Sequence, residues 1–420
     1  MALLKLPTAL RALRYHNFRL YFSGQAISLI GTWTQRVAVS WLVYKITQSA
    51  FMLGLVAFAG QIPVLLLSPY AGAYVDRHSR YRTLLFTQIA SMVQAGLLAL
   101  VVWMGNYNVT IIILLSIMLG AINAFDTPSR QSFMIVLVEQ REHLPNAIAL
   151  NSSMVTFARL VGPAVAGILL SSYGEDICFL INFLSFLAVI ISLLLMKLNI
   201  PVHEKPTEPI WSGLKEGFSY VKSNRGLRSA VLLAAAMSLI VLPYSNLLPI
   251  YAASVFKGNV TTFSWLNSIS GLGALMGAIF IATLKQGKNF MKIISYAALV
   301  FSVGLIAFSY TKDFRLALLF IMIAEGGLLV EVAATNTFIQ TNVDERMRGR
   351  VVSYYVMAFL GMQPIGGLLV GSLAHVTSAP FTLLIEGLCG ITAALLFTPV
   401  LKGKRKINEE KGERLIKNNT

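Results

Sequence analysis

Charge is what this chain lacks most. Only 12% of its 420 residues are Asp, Glu, Lys or Arg, against roughly 25% in a soluble domain. Hydrophobic residues make up 56%, and the mean hydropathy is +0.69. The deficit runs the whole length, which excludes a soluble globular chain and indicates a polytopic membrane protein. Cysteine is almost missing: Cys178 and Cys389 are the only two. No disulfide framework is expected from them, and they read as small apolar packing residues. No G-x-x-x-x-G-K-[ST] string is present, so no intrinsic ATP hydrolysis is expected. Neither H-E-x-x-H nor a paired C-x-x-C argues for a metal, and no nucleophile elbow suggests lipid chemistry. The chain therefore calls for no cofactor. The start, MALLKLPTALRALRYHNFR, has no small-residue cleavage site after an apolar core. It reads as a basic interfacial segment and not as a cleavable signal peptide.

What the chain has is long apolar runs. About 20 apolar residues cross the hydrocarbon core as a helix. A closed barrel would show short alternating segments instead. Twelve runs are visible, at 18–44, 51–71, 83–104, 109–134, 147–171, 177–197, 229–256, 262–284, 291–310, 315–340, 348–375 and 379–400. The first holds enough polar residues that hydropathy alone would pass over it.

The net charge of +16 is topological. With the N-terminus taken as cytoplasmic, 28 of the 34 Lys and Arg fall on one side, in loops and helix ends. Four (Lys45, Lys257, Lys312 and Arg315) fall on the other, and Arg36 and Arg159 lie within spans. This is the positive-inside bias, so both termini are expected in the cytoplasm and nucleic acid is not an expected partner.

The apolar pattern breaks once for long, at 198–228, a charged linker with three prolines. Six spans precede it, within 1–197, and six follow it, within 229–400. Trp211 to Val221 suits a short amphipathic helix on the membrane surface. The basic tail, 401–420, suits contact with anionic lipid. The halves repeat weakly: at an offset of 205, Gly72 aligns with Gly277, Phe133 with Phe338, Glu139 with Asp344 and Arg141 with Arg346. Such a register supports two parallel six-helix repeats.

Polar residues inside the spans mark candidate sites, because they face protein or water there. Span one carries Gln25, Ser28, Thr32, Gln35 or Arg36, and Ser40 along one stripe, flanked by Trp33 and Trp41. Arg36 lies so deep that it should face a cavity and pair with a carboxylate or an anionic substrate. Span four carries Asn123, Asp126, Thr127 and Arg130, spaced for one helix face. Span five carries Ser152, Thr156 and Arg159, then GPAVAG from Gly162 to Gly167. Small residues there allow close helix approach, and Pro163 removes one backbone hydrogen bond. Span ten holds Glu325 and Glu331, about 240° apart around a helix, so at most one is central. Span twelve adds Glu386. Buried carboxyls are natural proton carriers, and Glu325 or Glu331 is preferred over Glu386. Pro243 and Pro249 predict a broken span seven, usable as a gate. Tyr354, Tyr355, Met357 and Met362 suit a bulky amphiphile or plain core packing equally well.

The densest charge cluster between spans is GAYVDRHSRYR, Gly72 to Arg82. Gly72 is expected to turn the chain at the end of span two. The string resembles the signature loop of major facilitator superfamily transporters, which it matches at Gly72, Asp76, Arg77, Arg80 and Arg82. Ser79 and Tyr81 depart from that pattern. The resemblance implies an all-α fold of twelve transmembrane helices in two pseudo-symmetric six-helix bundles. It implies that Asp76 latches the halves at the N-terminus of span eleven, with Arg80 or Arg82 pairing to Asp126 beside Arg130. Gly162, Pro163 and Gly167 resemble the exporters' fifth-helix motif, which the family associates with antiport. Asn17 to Leu55 looks like the opening of the branch containing enterobactin exporters and macrolide efflux carriers. The expectation is proton-coupled export of a small amphiphilic compound by a monomer in a bacterial inner membrane, with lipids and protons as its other partners. An uptake carrier or a lysophospholipid flippase of the same fold is the alternative.

Overall fold

A computed structural model describes residues 8–105, 107–138, 140–197, 210–284 and 289–402. The prolines of the linker, most of the basic tail and Glu139 lie outside the described residues, as does the side chain of Asp76. After a 3-10 segment, Thr8–Arg14, the chain forms α1 (His16–Thr47), α2 (Ala50–Arg77), α3 (Arg80–Trp103), α4 (Val109–Leu137), α5 (Leu144–Ser172) and α6 (Glu175–Leu194). The linker forms α7 (Ile210–Ser223), where the amphipathic helix was expected. Span seven begins as α8 (Arg225–Ala236). It passes through a π turn, a 3-10 stretch Leu242–Leu247, a single turn α9 (Leu248–Ile250) and a second π turn. Pro243 and Pro249 lack the N–H a regular helix needs, so the expected break is present. The chain ends in α10 (Val260–Ala282), α11 (Phe290–Tyr310), α12 (Phe314–Asn342), α13 (Glu345–Val376) and α14 (Ala379–Lys402).

Short polar residues start these helices. Ser49, Ser79, Asn108, Asn224, Asn289 and Asp313 each accept a hydrogen bond from a backbone N–H in the first turn. Each satisfies one of the orphan donors at a helix start. Eleven spans among the described residues are long and apolar enough to cross a membrane. The exception is α1: its 32 residues are long enough, but its polar stripe lowers its hydropathy, as its sequence leads one to expect. Leu66, Phe86, Ile191 and Leu396 are among many large apolar side chains left exposed, which suits a surface solvated by lipid.

Packing divides the chain into two units. One comprises Met1–Thr207 with Leu248–Gly271, the other Glu208–Leu247 with Leu272–Thr420. The end of span seven and the start of span eight thus group with the first half, away from the bundle the sequence order assigns them to. In the first unit α1 packs on α5 and α6, α2 on α4, and α3 on α4 and α6. In the second, α8 packs on α13 and α14, and α11 on α12 and α14. There Gly273 and Gly277 of α10 seat on the backbone of α12 at Met322 and Gly326. Counting spans within each half, the same five pairings (1–5, 1–6, 2–4, 3–4 and 3–6) occur in both. That is the structural form of the repeat read from the sequence. Cys178 is buried in the first unit's core beside Leu42, Leu98 and Phe179.

Glycine is obligatory where two helices touch through backbone. A Cβ on Gly366 of α13 would collide with the Leu239 carbonyl and with Pro243. Around Gly72 no atom lies within 4 Å of the Cβ position, and the residue is helical inside α2. The expected turn at Gly72 is therefore corrected: α2 runs on to Arg77, and His78 and Ser79 reverse the chain. Gly366→Val should cost about 1–3 kcal/mol through overpacking. Gly72→Ala should be neutral or stabilise by up to about 1 kcal/mol, as Ala does in a helix interior. Thermal unfolding of the detergent-purified protein distinguishes the two; an unchanged Tm for Gly366→Val would contradict this packing.

Candidate functional site

The polar stripe of α1 divides between two faces. Gln35 is 4% exposed and faces α3 and α6. Its Nε2 donates to Gln94 Oε1 at 3.1 Å, and its Oε1 accepts from Asn182 Nδ2 at 2.8 Å. Gln94 in turn donates to the Leu115 carbonyl at 3.2 Å, and Ser185 donates to Asn182. This closed network corrects the assignment of Gln35 to a substrate cavity. It satisfies buried polar atoms, and so ties four helices, α1, α3, α4 and α6, together. Gln25 and Ser28 are buried as well.

Arg36 points the other way. It is exposed, and its guanidinium carbon lies 4.8 Å from the centre of the Trp33 ring. Arg159 of α5 approaches the same ring at 6.0 Å. Arg36 and Arg159, expected in one site, are thus brought together on one indole. Trp33 itself is fixed by α5, because Gly162 leaves room for its Cβ. Thr34 adds a hydrogen bond to the Gly162 carbonyl at 3.1 Å. Pro163 cannot donate to the Arg159 carbonyl, and Gly271 of α10 seats on that carbonyl and on Leu160. One turn on, Gly167 seats against Ser264, whose Cβ would lie 2.7 Å from a Cβ added there. The Gly-Pro motif is therefore a close helix–helix contact on both its sides.

In the same unit, Asp126 is 2% exposed. It pairs with Arg130 one turn along α4 and accepts from Thr87 Oγ1 at 2.9 Å and Gln88 Nε2 at 2.6 Å. Arg80 reaches the Ser132 carbonyl instead, at 3.5 Å, and Arg82 is exposed. The expected pairing of Arg80 or Arg82 with Asp126 is corrected accordingly. An i, i+4 partner on the same helix is nearer and needs no reach across the loop. Arg77 is exposed, and His78 stacks on Tyr74 with ring centres 3.9 Å apart. Thr87 and Gln88 were not singled out in the sequence. The signal was there: Thr87, Gln88, Ser91 and Gln94 share one face of α3, and all four are buried.

The second unit holds three carboxyls inside its spans. Glu325 is 2% exposed and accepts a hydrogen bond from the Tyr244 hydroxyl of the broken span seven. Glu331 is fully buried. One oxygen accepts from Thr335 Oγ1 at 3.1 Å, and the other has no hydrogen-bond partner among the described residues. Glu386 of α14 is 2% exposed, and neither of its oxygens has one. Glu325 and Glu331 thus have separate surroundings, as their spacing implied. Tyr244 was missed as a carboxyl partner because long-range pairing leaves no local signal. The linker helix is tied to α13: Glu216 pairs with Arg350, and Tyr220 donates to Asp344 Oδ2 at 2.9 Å.

Helices of membrane-crossing length, paired alike in two units and carrying polar sites at membrane depth, define a membrane transporter of the major facilitator fold. Solved structures agree on that fold. A nucleoside transporter, NupG, superposes with a TM-score of 0.73 over 92% of this chain and 100% of its own, at 14% identity. A bacterial homologue of the iron transporter ferroportin gives 0.69 over 92% and 98%, at 15% identity. The family described as transmembrane secretion effector matches residues 7–416, and the chain belongs to it. Among curated relatives, the staphyloferrin A transporter of Staphylococcus aureus is 25% identical over 90% of this chain and 94% of its own. Macrolide efflux protein A of Streptococcus pyogenes is 24% identical over 70% and 73%. The multidrug efflux pump Tap of Mycolicibacterium fortuitum is 24% identical over 86% and 90%. Family and relatives are transporters of small molecules in membranes, not enzymes.

Removing one partner of a buried ion pair typically costs about 3–5 kcal/mol. Asp126→Leu should therefore lower stability by about that much, whereas exposed Arg82→Ala should stay within about 0.5 kcal/mol. Chemical or thermal unfolding in detergent tests both. Equal losses would mean that the loop, not the Asp126 cluster, holds this end together.

Proposed function

We propose that the chain exports a small amphiphilic compound in exchange for protons, by alternating access. The observation that carries the proton half is Glu331. It is fully buried in a membrane-spanning helix, with one oxygen held by Thr335 and one left open. An ionised carboxylate in such surroundings is costly without a partner, so gain or loss of one proton changes the energy of the whole unit. That is the differential interaction a coupled conformational change requires. Glu386 is a second candidate on the same grounds, and Glu325, engaged by Tyr244, ranks behind both. The Gly-Pro contact of α5 and the relatives named for efflux support the outward direction.

Asp76 is the proposed latch between the halves, with Arg77, Arg80 and Arg82 beside it and Asp126 and Arg130 stabilising the helices that carry the loop. The proposed location is a bacterial inner membrane, with both termini cytoplasmic on the strength of the positive-inside bias. The transporter acts as a monomer there, with membrane lipids and protons as partners beside its cargo.

The test is proton leak in inverted membrane vesicles on addition of candidate compounds. Wild type should show a compound-dependent leak, and Glu331→Gln should reduce it at least tenfold while exchange of labelled for unlabelled compound continues. A full leak in both Glu331→Gln and Glu386→Gln would overturn the carboxyl assignment.

A further inference from the structure

Tyr355 of α13 is buried beside Glu331. Its hydroxyl donates to the Val332 carbonyl of α12 at 3.2 Å. Val332 follows Glu331 in the chain, and the hydroxyl lies within electrostatic reach of the Glu331 carboxyl. The Val332 carbonyl belongs to a regular helix, where it already accepts from the N–H four residues on. The tyrosine is therefore a second donor to it, and its departure orphans no backbone group. Glu331 differs: one oxygen accepts from Thr335 and the other has no hydrogen-bond partner. Among the described residues it forms no salt bridge. The titratable groups of the helices packed on α12 are turned away from it or engaged. On α8, Arg225 and Arg228 are exposed; on α11, Lys292, Tyr296 and Tyr310 are exposed. α10 carries no titratable side chain. On α13, Arg348 and His375 are exposed, Arg350 pairs with Glu216, and Tyr354 packs on Phe218. The side chains of Glu345 and Arg346 lie outside the described residues, in the first turn of α13, about 14 Å along the helix from Tyr355. Glu325, on α12 itself, is engaged by Tyr244.

A hydrogen bond to a carboxylate is roughly twice as strong as one to a neutral carbonyl. Ionisation of Glu331 thus tips the balance for a hydroxyl placed between the two acceptors. We propose that Tyr355 is the positioning residue of the Glu331 proton site: its hydroxyl rests on Val332 while the carboxyl is protonated, and bonds the free carboxyl oxygen once the proton leaves. The carboxyl gives its proton to water, and the tyrosine keeps its own throughout. The tyrosine ring stays in place. It stacks on Phe359 with centres 6.1 Å apart, and the Phe359 carbonyl accepts from Ser238 in the first π turn of span seven. The carboxyl therefore comes to the hydroxyl. Each change of charge at Glu331 alters the contact between α12 and a stretch of α13 that is tied to the broken span. The inference deepens the exchange reading and rests on its assignment of Glu331.

The test is infrared titration of the full-length protein in lipid bilayers. The C=O band of protonated Glu331 is the one lost in Glu331→Gln. In wild type it should disappear as pH rises. Tyr355→Phe keeps the ring but removes a donor that favours the ionised form. The midpoint should therefore move to higher pH, by about one unit or more. A tyrosine fluorinated beside its hydroxyl, incorporated at position 355, is a stronger donor on the same ring. It should move the midpoint to lower pH, and it carries the test if Tyr355→Phe does not fold. A ring that served packing alone would produce neither shift. An unmoved midpoint in either variant, shifts of the same sign, or absence of a band assignable to Glu331 would each overturn the proposal. Failure of the exchange reading has a different signature: both shifts occur, while Glu331→Gln leaves the compound-dependent proton leak intact.

Discussion

The constraint on which this structure depends is the absence of water from the hydrocarbon core. Every backbone group there must bond within its own helix, and every polar side chain must find a partner or a wet surface. The first demand yields helices throughout the spans. The second sorts the polar residues into two kinds. One kind closes on itself: Gln35 with Gln94 and Asn182, and Asp126 with Arg130, Thr87 and Gln88. Such groups hold helices together and leave nothing over for a ligand.

The other kind does not close on itself. Arg36 lies over the Trp33 ring in the first unit, and Glu331 and Glu386 keep oxygens without a hydrogen-bond partner among the described residues in the second. The Gly-Pro motif ties Trp33 to the scaffold. Gly162 seats Trp33, Gly271 brings α10 onto the backbone of α5, and Gly167 seats against the Ser264 side chain. A shift of α5 against α1 would therefore disturb the seat of Trp33.

Much of this was legible in the sequence. The spans follow from hydropathy because each must bury about the same thickness, and α1 was found despite its polar stripe. The broken span seven followed from Pro243 and Pro249, which no regular helix satisfies. The repeat was readable from a few shared positions and is repaid in the identical span pairings of the two units. Side-chain partners were the less legible part. One-dimensional spacing showed that Asp126 and Arg130 share a face, but not that Thr87 and Gln88 would meet them. It could not tell Gln35 from Arg36, because adjacent residues on a helix are only about 100° apart and either fits a broad stripe. Gly72 misled for a related reason. Glycine marks turns in general, and only the surrounding space shows that this one lies inside a helix that continues for another turn.

The central claim is that a proton gradient drives solute in the opposite direction. The direct measurement is uptake by proteoliposomes of the purified protein with an acidic lumen, using a weak-acid compound that provokes the vesicle proton leak, quantified after filtration and lysis at fixed pH. A weak acid left to itself collects on the alkaline side, so accumulation in the acidic lumen can only come from exchange for protons. The account predicts such accumulation, abolished when an ionophore collapses the gradient. Equal uptake with and without the gradient would contradict it.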